Sequence, residues 1–406
     1  MNSDWTDWIN VLFRFAHVVA GIMWIGNSLL FTWMELNLVK PAPSRDPDLL
    51  GELDMLHGGG VFHLEKRTLR ADAIPERLHW FKWQSYTTWI TGFVLLMALY
   101  HGNGFTLVDA TRTSLTQGAA IAISLLGILA GWLAYDAVWR SPLRKSPRIG
   151  LLASMVLLAA AATAYGSVFN GRALFLQIGA MMGTCMSANV FFHIISNQHK
   201  FMRGLRAGAP HDPEPGKAAK TRSMHNHYMT FPVIFLMLSA HFPKLYAAAW
   251  NVPVLLTIII ALMIVKHLMN TRYHFKGWLL SIFAVLILAG LLVSLLLKPA
   301  AAAAATTDPA AASGRQVFDS LGCAVCHMQA GGQIAPALDG LHGSIQILAD
   351  GSKVLADDAY LRRSILEPQT QIVKGYAPAM PSYAGRISDP QLEDLLAYLR
   401  SIGTAR

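Results

Sequence analysis

Eight stretches of this 406-residue chain are apolar enough, or nearly so, to cross a bilayer, and they limit the fold more than any other feature. A spanning helix needs about 20 residues. In lipid every backbone polar group must be satisfied within the protein, which leaves helices or closed barrels. The stretches lie near 9–36, 83–101, 117–139, 149–168, 173–196, 228–242, 251–269 and 277–297. The sixth is the shortest and is interrupted by Pro232; a proline kink is tolerated where neighbouring helices satisfy the freed carbonyl. Composition agrees: 14% of residues are charged and 53% hydrophobic, whereas soluble chains carry about 25% charged residues. An ordinary soluble enzyme is excluded.

Basic residues test this count independently, because cytoplasmic loops accumulate Lys and Arg. Alternate loops hold twenty of them, from Lys40 to Lys276, while the intervening loops hold only Arg112, Arg172 and Lys244. The net charge of +9 is therefore set by topology, and no nucleic-acid partner is expected. The split places the N-terminus outside, and eight crossings return the C-terminus to the same side. Asp4 and Asp7 replace the basic start of a cleavable signal peptide.

After Leu297 the composition changes. The expected division is a membrane domain over 1–297, an Ala/Pro linker over 298–312 and a small soluble domain over 313–406. Within the last, Cys323-Ala324-Val325-Cys326-His327 has the spacing of covalent c-type haem attachment. Two thiols add to the haem vinyl groups, and the adjacent histidine becomes an axial ligand. A helix-like segment from Gly314 to Leu321 precedes the motif, and an amphipathic helix from about Pro390 to Ile402 ends the domain. Between them Met380 sits in a proline-bracketed loop as the second axial candidate, ahead of Met328 and His342. Methionine opposite histidine raises the potential of an electron-carrying haem. With Tyr360 to Ile365, Lys374-Gly375-Tyr376 and Met380-Pro381-Ser382-Tyr383, this tail resembles class I cytochrome c domains. Haem attachment of this kind belongs to the outer side of a bacterial membrane, where the charge count had already put the C-terminus.

Intramembrane ionisable groups are functional candidates by default. In the first stretch His17, Gly21, Trp24, Ser28 and Glu35 share a helical face. Cys185, Asn189, His193, Asn197 and Lys200 form a second polar stripe, and His225-Asn226-His227-Tyr228 opens the sixth stretch. Asp136, Lys266 and His267 add to the set. By depth, His17, His101 and His241 fall toward the outside, and Glu35, Asp136, His193, Asn197, His225, His227 and His267 toward the cytoplasm. Such an inner cavity suits a flat hydrogen-bonding heterocycle or a quinone. An intramembrane haem b held by two helices stays open. His57 and His63, around Gly58-Gly59-Gly60, suit a binding loop or a plain surface loop.

The run from Phe15 to Ser28 and the run from His225 to Met237 resemble the membrane-bound bacterial urate oxidase (urate hydroxylase) family. That family more often has asparagine at the position of His227. The resemblance covers essentially the whole chain. It implies an all-α fold, a polytopic eight-helix transmembrane bundle followed by a class I cytochrome c domain. It further implies oxidation of urate to 5-hydroxyisourate in purine breakdown, at the bacterial inner membrane with the cytochrome domain periplasmic. Electrons would pass through one haem c on Cys323, Cys326, His327 and Met380 to a terminal oxidase or a soluble cytochrome c. His193 and His225 are the candidate catalytic bases, since histidine titrates near neutrality. The alternative is a quinol-oxidising or other respiratory electron-transfer module with a c-type cytochrome.

Overall fold

The computed structural model describes residues 3–40, 46–102, 107–108, 115–208, 212–246, 248–297, 308–323, 326–327, 335–376 and 380–402. Helix α1 covers Ser3–Asn37, and a hairpin follows, β1 at Leu49–His57 and β2 at Gly60–Arg67. Gly58 and Gly59, at φ +61° and +82°, make its two-residue turn, the left-handed pair that matches the twist of paired strands. This is a departure from an all-helical expectation, in the region read as a loop. Lys66 of β2 pairs with Glu35 at the end of α1 and ties the hairpin to the bundle.

The bundle continues with α2 (Trp83–Leu95), α3 (Gln117–Arg140), α4 (Pro147–Val168) and α5 (Gly171–Ala188). After α5 the chain passes through a π-helical turn, Asn189–Ile195, into α6 (Ser196–Arg206). Then come α7 (Glu214–Leu238), the short α8 (Pro243–Tyr246), α9 (Asn251–Asn270) and α10 (Trp278–Leu296). Six of the described helical runs are long and apolar enough to cross a membrane: Trp8–Asn37, Gln117–Arg140, Pro147–Val168, Gly171–Arg206, Asn251–Asn270 and Trp278–Leu296. The stretches around α2 and α7 are helical too. However, α2 gives way to a second π turn at Leu96–His101, and α7 carries Arg222, His225, Asn226 and His227 along its first half. Pro232 lies inside α7, which runs on to Leu238.

The run through α5 is the most enclosed of the six, and α1 and α10 are the least. Leu174, Phe175 and Ile178 of α5 meet Val254, Leu255 and Ile259 of α9, Leu236 of α7, and Tyr165 and Phe169 from α4 and its end. A central helix packed on several sides presents its polar residues to neighbours rather than to lipid. That is how α5 can carry Gln177, Ser187 and, at its π turn, Asn189, all buried.

The C-terminal unit is built from α11 (Pro309–Ser320), a small hairpin of β3 (Ile345–Ile347) and β4 (Lys353–Leu355), α12 (Asp358–Leu366) and α13 (Asp389–Ser401). Its first and last helices cross at Gly314, where a Cβ would strike the Asp394 carbonyl. Phe318, Tyr360, Leu361, Ile365, Leu392, Leu395, Leu396 and Leu399 close one apolar core. Ser388 and Gln391 form a reciprocal capping box at the start of α13.

Candidate functional site

The C-terminal unit encloses a mostly apolar crevice of about 1140 Å³, counting its open mouth. Cys323, Cys326, His327 and Met380 all face it, among Leu338, Leu361, Ile365 and Leu399. Backbone N–H groups of Cys326 and His327 both donate to the Cys323 carbonyl, at 3.2 and 3.0 Å, and curl the motif onto one wall. His327 Nδ1 donates to the Pro336 carbonyl at 2.9 Å, which leaves Nε2 as the ring atom able to bind iron. Burial pushes the His327 imidazole down, against the Pro336 hydrogen bond, so the ring is kept neutral as a ligand must be. Burial likewise pushes both thiols up. Met380 is placed by the segment that follows it: Ser382 Oγ donates to Leu366 O at 2.6 Å, and Tyr383 OH to Leu321 O at 3.2 Å. The donor set and the apolar lining fit a c-type haem, with His327 and Met380 available as axial ligands. Ala377–Ala379 and Met328 lie outside the described residues. His342 pairs with Asp358 at 3.2 Å.

In the bundle, α3, the π turn after α5 and the first half of α7 build one polar network. Asp136 is buried and takes three cationic or donor partners. Arg140 Nε lies at 2.6 Å, Arg222 at 2.7 Å, and His193 Nε2 at 2.6 Å. A carboxylate only accepts, so His193 carries its proton on Nε2 and leaves Nδ1 as an acceptor. Asn189 Oδ1 accepts from Arg222 at 3.4 Å, while its Nδ2 donates to Asn226 Oδ1 and to Tyr135 OH, each at 2.9 Å. Tyr135 OH, already an acceptor there, donates to His225 Nδ1 at 2.7 Å. His225 therefore presents Nε2–H and packs on Trp139, ring centroids 4.0 Å apart. The π turn matters because it rotates Asn189 and His193 relative to a continuous α-helix, a common feature of functional sites.

A second cluster lies on the other side of α7. His227 Nε2 donates to Asn270 Oδ1 at 2.8 Å, and its Nδ1 accepts from Ser28 of α1 at 3.4 Å, with the Thr32 hydroxyl equally distant but donating to the Ser28 carbonyl at 2.9 Å. Tyr228 OH and His267 Nδ1 are hydrogen-bonded at 2.8 Å. The outer-end candidates are engaged elsewhere. His17 bridges α1 to Thr88 and Thr91 of α2, and His101 meets Ser124, which also receives Gln177. At that same end Arg172 lies over the Tyr100 ring at 5.7 Å. Burial pushes the Tyr246 phenol up, Arg172 pulls it back, and Cys326 of the crevice is near enough to add to the push. The exposed His63 hydrogen-bonds Asp54 at 2.8 Å across the hairpin, which raises its pKa.

The urate oxidase N-terminal family model matches residues 3–296, and the cytochrome c model matches residues 311–403. The chain belongs to the urate oxidase N-terminal family. A comparison with individually described proteins returns no match. As a urate oxidase N-terminal chain joined to a cytochrome c domain, it is an oxidoreductase-type membrane protein with a haem electron carrier.

Of the residues that sequence reasoning singled out in this urate oxidase-type bundle, His193, His225 and Asp136 come together in one network, and His227 does not join it. Tyr135 and Asn270 were missed, and Arg222 was counted only as a loop cation. A signal existed for Arg222: it stands four residues before Asn226, on one helix face with a buried partner.

Proposed function

We propose that the protein is a membrane-bound urate oxidase that converts urate to 5-hydroxyisourate and exports the electrons through its own cytochrome domain. Eight helices cross the inner membrane in this reading, with both termini periplasmic and the domains divided at 1–297, 298–312 and 313–406. One haem c would be held covalently by Cys323 and Cys326, with His327 and Met380 supplying its iron ligands; when bound it would supply a one-electron acceptor.

The chemistry assigned to the bundle is loss of two electrons and two protons from urate as water adds at C5. Each turnover therefore needs two single-electron transfers to the outside, to a terminal oxidase or a soluble cytochrome c. His193 is the base: Asp136 holds its Nε2–H, orients the ring and stabilises the imidazolium formed when Nδ1 takes a proton. His225, whose Nδ1 is occupied by Tyr135, acts from Nε2–H as a donor to the developing oxygen or nitrogen. Supporting this assignment most is the His193–Asp136 pair inside a helical bundle of the urate oxidase N-terminal family, fused to a haem crevice.

The test is anaerobic addition of urate to oxidised, purified full-length protein, followed by visible spectroscopy. Growth of the reduced c-type α band is expected, and His193→Gln should slow it by about 10²–10⁴-fold, the range for lost general-base catalysis. Reduction by a quinol but not by urate would replace this reading with a respiratory electron-transfer module.

A further inference from the structure

The two polar clusters flanking α7 differ in how their charge is balanced. Asp136 carries three partners of its own, whereas the cluster between α1, α7 and α9 contains a cation with no carboxylate partner among the described residues. Lys266 is 2% exposed. Among the described residues its Nζ has no hydrogen-bond acceptor and no carboxylate partner; it lies over the face of Phe231, 4.8 Å from the ring centroid. One turn farther along α9, Asn270 gives its Oδ1 to His227 and leaves its Nδ2 buried without an acceptor. Glu35, the acidic residue of α1 read as lying toward this end, is already paired with Lys66.

The register makes these orphans neighbours. Lys266 and Asn270 are four residues apart on α9, as His227 and Phe231 are on α7. Residues at that spacing share a face, and the two contacts, His227 to Asn270 and Phe231 to Lys266, zip the faces together in antiparallel order. A buried charge without a counter-ion is costly, as in lesser measure is an orphaned amide donor. A cation–π contact offsets only part of that cost. What removes both deficits together is an acceptor-rich anion.

We propose that Lys266 and the Asn270 amide, with His227 setting the amide's orientation, form an anion-binding site separated from the His193 network by α7. Its ligand is a small planar anion with adjacent acceptors, which is the urate anion if the reading of the bundle as a urate oxidase holds; the proposal depends on that reading. The site holds the substrate anion at the polar end of the bundle before it reaches the reacting groups. An anionic lipid headgroup shares the same oxygen-acceptor chemistry, but a side chain this deeply enclosed favours a ligand without acyl chains.

The experiment uses full-length, haem-loaded protein in nanodiscs of zwitterionic lipid. Equilibrium binding of labelled urate is measured beside the urate dependence of haem reduction, for the wild type, Lys266→Met and Asn270→Asp. Methionine keeps the length of lysine and removes the orphan charge, so the fold is retained. Aspartate places an internal carboxylate beside the ammonium and occupies it. Both variants should lose one urate-binding equivalent and raise the half-saturating urate for haem reduction at least 10-fold, with normal haem content and dithionite-reduced spectra. Wild-type binding and half-saturation in both variants would overturn the site while leaving the urate reading intact. A wild type that neither binds urate nor reduces its haem would overturn the urate reading and, with it, this assignment. Loss of urate binding only after anionic lipid is added, relieved by Lys266→Met, would reassign the cation to a lipid headgroup.

Discussion

Met380 and Asp136 carry the two residue-level consequences most open to measurement. Methionine ligation raises the potential of a haem iron. Met380→Ala should therefore leave the haem attached through Cys323 and Cys326 but lower its midpoint potential in a redox titration. An unchanged potential would remove Met380 from the axial position. Asp136 is the carboxylate partner of Arg222, itself buried, and of Arg140, and it accepts from the neutral His193 ring. Removing one partner of a buried charge set leaves the others uncompensated, at a cost of about 3–5 kcal/mol. Asp136→Asn should lower the thermal midpoint in detergent accordingly, and a shift near zero would mean that water already screens the cluster.

At the level of elements, the crossing of α11 and α13 is the most exacting contact in the cytochrome unit. Gly314 stands against the Asp394 backbone, which cannot give way as the end of a side chain can. Gly314→Ala should force the helices apart and destabilise that unit by about 1–3 kcal/mol, the usual range for overpacking. Calorimetry should show the effect in the cytochrome transition and not in that of the bundle. Much at this scale was legible beforehand, because hydrophobic runs and Pro/Ala-rich breaks are local signals. The helices at 117–140, 147–168, 251–270 and 278–296 lie close to where the apolar runs put them. The hairpin at 49–67 was not legible. Its strands mix Asp54, His63 and Glu65 with Leu56, Val61 and Phe62, so no period-2 pattern separates a buried face from an open one. The turn glycines were visible, but their positive φ was not. The π turns escaped for a related reason, since one extra residue in a helical turn leaves composition unchanged. Asn189 and His193 were read at α-helical spacing, and their partners on α3 and α7 lie dozens of residues away in sequence, where no periodicity reaches.

Across the whole molecule the governing quantity is the distance between polar chemistry and haem crevice. Arg172 lies in the first turn of α5, and Asn189 opens the π turn that follows it. Asn189 stands seventeen positions after Arg172 along nearly continuous helix, a rise of about 26 Å. With the proposed site at the π turn, a direct electron transfer over such a span would be slow, and the proposed route would call for a relay inside the bundle. A chain ending after Leu297 should keep urate binding and lose all urate-driven reduction of an added soluble cytochrome. If the truncated form still reduced the external carrier, the crevice would not lie on the route.

Cys185 has a bearing on how such a chain is made. It sits in the core of α5, 5% exposed, in a separate unit from Cys323 and Cys326. Once the bundle has folded, that thiol is sealed from oxidants and from its two counterparts, so no wrong disulfide can draw the haem pair away. In the proposed topology the remaining two thiols then have two fates, to pair with each other or to receive haem.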